Sequence, residues 1–212
     1  MRSEEFYDEY KSAKEQLEKE NFPKGIVAFG SARISYADPH IQEIKEIAGD
    51  CARYALENKK SISFITGGGP SVMTAWLELP NDQGADTGAM ALELPFEAKS
   101  SQMQHCNLKT SFMFKTFQAR KAIMMEFAKA IVIFKGGFGT MDELFEVMTL
   151  IKTGRIPTIP IFIYPEEFYK DVLNFQTFLN AGTIKQEEND MLTFVKSREE
   201  LMEKLCNVID LE

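Results

Sequence analysis

The residues of this chain best suited to chemistry lie in one stretch, residues 135–146, with the sequence KGGFGTMDELFE. It follows a short apolar run that ends at Phe134 and is typical of a buried strand, and it leads into a sequence with helical periodicity. Gly136, Gly137 and Gly139 let the backbone bend and approach a ligand closely. Because the first turn of a helix has free N–H groups and the positive end of the helix dipole, we expect an anion here, most naturally a phosphate.

Glu143 is not explained by anion binding. A carboxylate one turn into the helix would repel a phosphate, so we expect it to contact another part of the same ligand. The spacing of Thr140 and Glu143 also matches the capping box S/T-x-x-E, in which the glutamate accepts a hydrogen bond from the N–H of the cap residue. The spacing alone leaves both roles open.

Two other strand-like runs end in turns of small residues. SISFIT runs into Gly67, Gly68 and Gly69, and GIVAFG runs into Ser31 and Arg33. In a parallel sheet such ends share one edge, which is the usual ligand crevice of an open α/β sheet. Neither these turns nor the first one matches the dinucleotide fingerprint G-x-G-x-x-G or the P-loop, so neither a standard NAD site nor a P-loop NTPase is expected.

Composition narrows the function classes. The net charge of −8 argues against broad binding to nucleic acid or to an anionic membrane. No apolar run is long enough to span a bilayer, and the charged N-terminus does not resemble a signal peptide. Three widely separated cysteines and two histidines suggest reduced thiols in a cytoplasmic protein and no protein-built metal site.

Strand and helix patterns alternate along the 212 residues without a long linker. This predicts a single α/β domain over residues 1–212, a doubly wound, mainly parallel sheet with helices on both faces. Residues 1–22 are expected to add an N-terminal helical extension with a thin apolar stripe. The predicted strands cover residues 26–29, 62–65, 87–94, 130–134, 159–164 and 191–195.

Two further expectations concern the middle of the chain. Residues 96–108 are polar and irregular, like loops that often close over a site. Residues 112–127 are expected to form one helix, which carries Arg120 and Lys121. A helix that is apolar on several sides must be covered on all of them, which favours a homodimer packed through this helix. Its apolar residues are Phe112, Phe114, Phe117, Ile123, Met124, Met125 and Phe127.

Four motifs, in order and at sensible spacing over residues 25–165, resemble the Lonely Guy (LOG) family of nucleotide phosphoribohydrolases, whose members often carry the label "possible lysine decarboxylase". The family's P-G-G-x-G-T-x-x-E is matched at residues 136–143, with Lys135 in place of the proline. Its R-K-x-x-M is matched at residues 120–124, its G-S-A-R at residues 30–33, and its T-G-G-G-P-x-x-M at residues 66–73.

The resemblance implies a Rossmann-like fold, usually dimeric, that hydrolyses the N-glycosidic bond of a cytokinin riboside 5′-monophosphate or AMP without a cofactor. Arg120 and Glu143 are then the expected catalytic residues. The residues expected to bind the phosphate or ribose are Ser31, Arg33, Gly67, Gly68, Gly69, Lys121, Gly136, Gly137, Gly139 and Thr140.

Three alternatives remain at this point: a nucleosidase with broad purine and pyrimidine specificity, a nucleotide-binding or sensing protein that does not hydrolyse, and a lysine decarboxylase. The last normally needs a lysine that forms a Schiff base with pyridoxal phosphate. Lys121 and Lys135 lie near the glycine turn in sequence, but neither has supporting context for that role.

Overall fold

The computed structural model describes residues 3–93 and 108–211. Its seven described strands form one parallel sheet in the order β4-β3-β2-β1-β5-β6-β7. The strands are β1 (Gly25–Phe29), β2 (Ser63–Thr66), β3 (Asp86–Leu92), β4 (Thr110–Phe114), β5 (Ala128–Ile133), β6 (Ile161–Ile163) and β7 (Leu192–Phe194). The helices are α1 (Ser3–Lys19), α2 (Pro39–Glu57), α3 (Val72–Asp82), α4 (Phe117–Glu126), α5 (Phe138–Lys152), α6 (Glu166–Val172), α7 (Phe175–Asn180), α8 (Gln186–Asn189) and α9 (Arg198–Asp210).

The strand order fixes where a ligand can bind. The chain builds β2, β3 and β4 outward on one side of β1, then returns to place β5, β6 and β7 on the other side. Such a reversal leaves a crevice beyond the carboxyl ends of the two central strands, here β1 and β5. The backbone joins the two turns there, because the N–H of Ser31 donates to the carbonyl of Lys135 at 2.9 Å.

Both faces of the sheet are covered by helices, as the alternating pattern predicts. One core cluster contains side chains of α2, α3 and α9, among them the fully buried Trp76. The other contains side chains of α1, α4 and α5, among them Leu17 and Ile123. The α/β, Rossmann-like, doubly wound fold is therefore confirmed.

The single helix expected over residues 112–127 is wrong in its first part. Thr110–Phe114 is an edge strand that pairs with β3, and α4 begins only at Phe117. Burial alternates along this strand, whereas the apolar positions after Thr116 follow the helical period. The two patterns are joined without a glycine or proline between them, which is why the sequence suggests one element.

Two smaller differences follow. Residues 166–179, whose sequence also fits one continuous helix, are divided into α6 and α7, because Asn174 caps a new helix by accepting from the N–H of Thr177 at 3.3 Å. The polar loop expected at residues 96–108 lies outside the described residues except for Leu108.

Helix α1 packs against α4. The sequence pattern alone predicts that a second subunit covers this helix. Ala13 and Leu17 of α1 are buried in the same core cluster as Ile123 and Phe127 of the α4 region. Phe112 and Phe114 belong to β4 and do not lie on the helix at all. Ile123, Met124 and Met125 of α4 are thus buried within the chain, whereas Phe117 is 51% exposed. The homodimer stays a prediction from the family resemblance.

Candidate functional site

Helix α5 begins earlier than the capping-box interpretation requires. Its first residue is Phe138 and its cap is Gly137, so Thr140 is the third residue of the helix and not its cap. A carboxylate at Glu143 is then too far along the helix to serve the cap N–H. Its Oε1 accepts a hydrogen bond from Nη2 of Arg120 instead. The capping role for Glu143 is therefore wrong.

Arg120 and Glu143 form a buried ion pair between α4 and α5. The two side chains are only 14% and 11% exposed. The guanidinium also lies 5.9 Å from the centre of the Phe117 ring, and its Nε is buried with no hydrogen-bond partner in the described part of the chain. A buried donor without a partner is costly unless a ligand or water satisfies it. The unpartnered Nε of Arg120 therefore favours a ligand or a water molecule beside this pair.

Burial sets the protonation of this pair. Removal from water raises the pKa of Glu143 from its ordinary 4.5 to about 7, although the guanidinium of Arg120 acts in the opposite direction. A carboxyl with such a pKa can take up and release a proton near neutral pH, which is what a general acid or base requires. Strongly shifted carboxyls in a crevice are typical of catalytic sites.

The triple-glycine turn after β2 lies directly against this pair. A Cβ placed on Gly67 would be 3.5 Å from the guanidinium carbon of Arg120 and 3.2 Å from the sulfur of Met73. Gly68 has φ +69°, which a residue with a side chain rarely adopts, and a Cβ there would lie 3.1 Å from that of Ala91. The structure therefore brings the turn at residues 67–69 to Arg120 and Glu143, as the shared sheet edge predicts.

The glycine turn after β5 is shaped by Thr140. The Thr140 side chain is buried, and a Cβ on Gly136 would lie only 2.1 Å from its Oγ1, so any other residue at position 136 would force Thr140 to move. The Cα atoms of Gly137 and Gly139 instead face open space. The start of α5 is therefore open, which is the geometry that an anion site at a helix N-terminus needs.

The turn after β1 is partly exposed. Ser31 is half-buried and its Oγ accepts from the N–H of Arg33 at 3.0 Å. The Arg33 side chain is exposed at the rim. Ser31 is thus held beside the β5 turn by its bond to Lys135, whereas the side chain of Arg33 is exposed to solvent.

Lys121 is not brought together with the glycine turns. Its ammonium pairs with Asp142 at 3.0 Å and with Glu146 at 2.5 Å on the outer side of α5. It lines a groove of 820 Å³ between α1, α4 and α5 that does not include Arg120 or Glu143. The cation expected to bind phosphate is already neutralised by two carboxylates.

Two neighbours of the site were not among the expected ligand-binding residues. The N–H of Gly69 donates to the sulfur of Met73 at 3.4 Å, so a weak acceptor takes one of the donors that a phosphate would use. Ser71 has φ +64° and ψ −119°, a strained conformation for a residue other than glycine, and its hydroxyl donates to the carbonyl of Ile34 at 2.8 Å. The family motif includes Met73, whereas a serine at position 71 does not by itself predict a positive φ.

Neither a metal-ligand cluster nor a membrane-spanning helix is found in the described ranges. Within residues 3–93 and 108–211, no group of three or more His, Cys, Asp or Glu side chains could hold a metal ion. In the same part of the chain, no helix is long and apolar enough to cross a membrane.

This chain is therefore a Rossmann-like α/β protein in which an arginine–carboxylate pair lies beside glycine turns, at the switch point of the sheet. The family model described as "Possible lysine decarboxylase" matches residues 77–205. The chain belongs to this family, the LOG family that its motifs resemble. No curated protein matches it in sequence.

Solved structures share the fold at low identity. The structural-genomics target TM1055 has a TM-score of 0.56 and 14% identity, covering 86% of this chain and 98% of that one. The molybdenum cofactor binding protein of the phototrophic bacterium Rippkaea orientalis has a TM-score of 0.52 and 18% identity, covering 87% and 95%. The molybdenum cofactor carrier protein of Chlamydomonas reinhardtii has a TM-score of 0.53 and 15% identity, covering 88% and 98%.

Proposed function

We propose that this chain is a hydrolase that cleaves the N-glycosidic bond of a nucleoside 5′-monophosphate, either AMP or a cytokinin riboside 5′-monophosphate, to the free base and ribose 5-phosphate. The observation that carries the proposal is the buried Arg120–Glu143 pair against the turn at Gly67. Membership of the LOG family supports a nucleotide-related function.

Glu143 acts on the sugar in this mechanism. Breaking the bond between C1′ and the base nitrogen develops positive charge on the ribose, as in glycoside hydrolysis. The carboxylate stabilises that charge and accepts the proton of the water that attacks C1′. The bonding electrons leave with the base, which then takes up a proton. With its pKa raised to about 7, Glu143 is a stronger base than an ordinary carboxylate and is still substantially ionised at neutral pH.

Arg120 and the glycine turns hold the substrate. The open N-terminus of α5 binds the 5′-phosphate through its N–H groups, and the turn at residues 67–69 contacts phosphate or ribose. The unpartnered Nε of Arg120 is free to donate to the substrate while Nη2 orients Glu143. No step of this mechanism uses Lys121.

Lysine decarboxylation is disfavoured by the state of Lys121. A Schiff-base lysine is normally activated by a lowered pKa. Burial lowers the pKa of Lys121, but its hydrogen bonds to Glu146 and Asp142 outweigh this effect and raise it. The ammonium is therefore stabilised in its charged form, which is unreactive toward a carbonyl.

The test is an assay of base release. Purified protein is incubated with AMP, GMP, CMP, UMP and isopentenyladenosine monophosphate, and free base is separated by chromatography. We expect release from at least one purine monophosphate and none from adenosine, because the glycine turns bind the phosphate. Equal rates on AMP and adenosine would contradict the phosphate site. Release from purine and pyrimidine monophosphates alike identifies the broad-specificity alternative, and tight binding of intact AMP without release identifies a sensing protein.

A further inference from the structure

Helix α4, which carries Arg120, does not cap its own N-terminus. A cap residue usually uses its side chain to accept from the N–H groups of the first helical turn. The cap residue of α4, Thr116, makes no side-chain bond to its own helix. Its hydroxyl donates instead to Glu9 of α1 at 2.7 Å, and its N–H and that of Lys115 donate to the same carboxylate at 3.0 Å and 2.7 Å.

Helix α1 also forms hydrogen bonds with the C-terminal end of α4. Glu126, the last residue of α4, accepts hydrogen bonds from the hydroxyl of Tyr10 and the ammonium of Lys14. Burial raises the pKa of Glu126, but these two bonds outweigh it and lower the pKa, so the carboxylate stays charged and paired. Between the two ends, Ala13 and Leu17 pack into the core shared with α4. α1 therefore fixes α4 at both ends as well as along its length.

Thr116, which Glu9 binds, lies one helical turn before Arg120. The N–H of Arg120 donates to the carbonyl of Thr116 at 3.4 Å, so the residue that Glu9 holds begins the turn on which Arg120 stands. The described contacts of the guanidinium are with Glu143 and the Phe117 ring, and its Nε has no partner there. Its position in the crevice thus depends strongly on where the backbone of this turn lies.

We infer that α1 is part of the functional site, and that Glu9 is a positioning residue which sets Arg120 against Glu143 by holding Lys115 and Thr116, the two residues immediately before α4. This inference rests on the proposed function for its kinetic consequence only. The residues matched by the family model begin at position 77, so α1 lies outside the matched part of the chain.

The experiment compares Glu9→Gln, Glu9→Asp and Glu15→Ala in the full chain. Gln has the shape of Glu but carries no charge, so it cannot serve three donors as strongly. Asp keeps the charge and should rescue in part. Glu15 is the matched control, because it is an exposed carboxylate on α1 whose ion pair, with Lys11 at 3.8 Å, lies within the same helix. Two readouts are used: kcat and KM for AMP, and the titration of the Glu143 side-chain carboxyl carbon by NMR.

We expect Glu9→Gln to lower kcat by about tenfold with little change in KM, because a small misplacement of a catalytic group slows the chemical step. The pKa of Glu143 should rise above its wild-type value, since the lowering influence of Arg120 is weakened. Glu9→Asp should lie between Glu9→Gln and wild type, and Glu15→Ala should match wild type in both readouts.

A structural role alone predicts a different result: Glu9→Gln would lower the unfolding free energy but leave kcat and the Glu143 titration unchanged, and that outcome overturns the inference. If Glu9→Gln does not fold, Glu126→Gln loosens the other end of α4 and is expected to raise the pKa of Glu143 in the same direction; an unchanged titration in that variant overturns the inference equally. If wild type releases no base, the proposed function fails, and the NMR titration still decides whether Glu9 positions Arg120.

Discussion

The substitution Glu143→Gln tests the electrostatics of the candidate site directly. Burial raises the pKa of Glu143 from 4.5 to about 7 in the folded chain, against the lowering influence of Arg120. The folded state therefore binds this proton more tightly than the unfolded state does. Stability from this group is fully present below the unfolded pKa and is lost as the pH rises through about 7.

The magnitude follows from the two pKa values. One pKa unit corresponds to about 1.4 kcal/mol, so the rise to about 7 corresponds to about 3 kcal/mol of unfolding free energy. The glutamine amide of the variant does not titrate. The unfolding free energy of wild type minus that of Glu143→Gln should therefore fall by about 3 kcal/mol between about pH 4.5 and about pH 8. The variant leaves Arg120 unpaired at every pH, which adds a constant difference and no slope.

The measurement is urea unfolding, followed by the fluorescence of Trp76, the single and fully buried tryptophan of the chain. Glu15→Gln is the control, because it removes a carboxylate that is 65% exposed and is not among the groups that shift the pKa of Glu143. A difference that stays flat over this pH range would refute the reasoning. A difference that grows with pH would show that Arg120 outweighs burial and lowers the pKa of Glu143.

Three further predictions concern turnover, a strained turn and assembly. Arg120→Ala and Glu143→Ala should each reduce base release from AMP by at least about a hundredfold, the lower end of what a positioned acid–base group contributes; retention of most activity would remove them from the mechanism. Ser71→Ala should lower the unfolding free energy by about 1 kcal/mol through loss of the hydrogen bond to Ile34. Ser71→Gly should lose less in the same urea titration, because it relieves the backbone strain at φ +64°; equal losses would contradict the strain. Light scattering at micromolar concentration should give twice the 24.1 kDa of one chain, as family resemblance implies, and a mass of one chain with full activity would exclude the dimer.

Local sequence patterns determined most of the fold. Apolar runs with strand or helix periodicity, separated by turns of small residues, predict the alternation of elements and hence the parallel sheet. Because the strands are parallel, the turns after β1, β2 and β5 lie at the same edge of the sheet, as the sequence pattern predicts. The sequence pattern did not separate β4 from α4. No glycine or proline lies between them, and a short apolar run fits a strand and a helix equally well.

Tertiary structure alone decided which side chains meet in the crevice. Arg120 and Lys121 are neighbours in sequence, but successive residues on a helix point about 100° apart. One guanidinium therefore reaches Glu143, while the adjacent ammonium reaches Asp142 and Glu146 on the other side. The raised pKa of Glu143 likewise comes from burial between two helices, which no local pattern records.

The N-terminal helix shows the same division. The spacing of its apolar residues predicts a helix lying against the body of the protein, because that spacing is a property of α1 itself. Its partner could not be predicted, since Glu9 accepts hydrogen bonds from residues that are more than a hundred positions further along the chain. The sequence determined the elements because their periodicity is local, whereas the folded chain decided the contacts of Glu9 and Arg120 because these join residues distant in sequence.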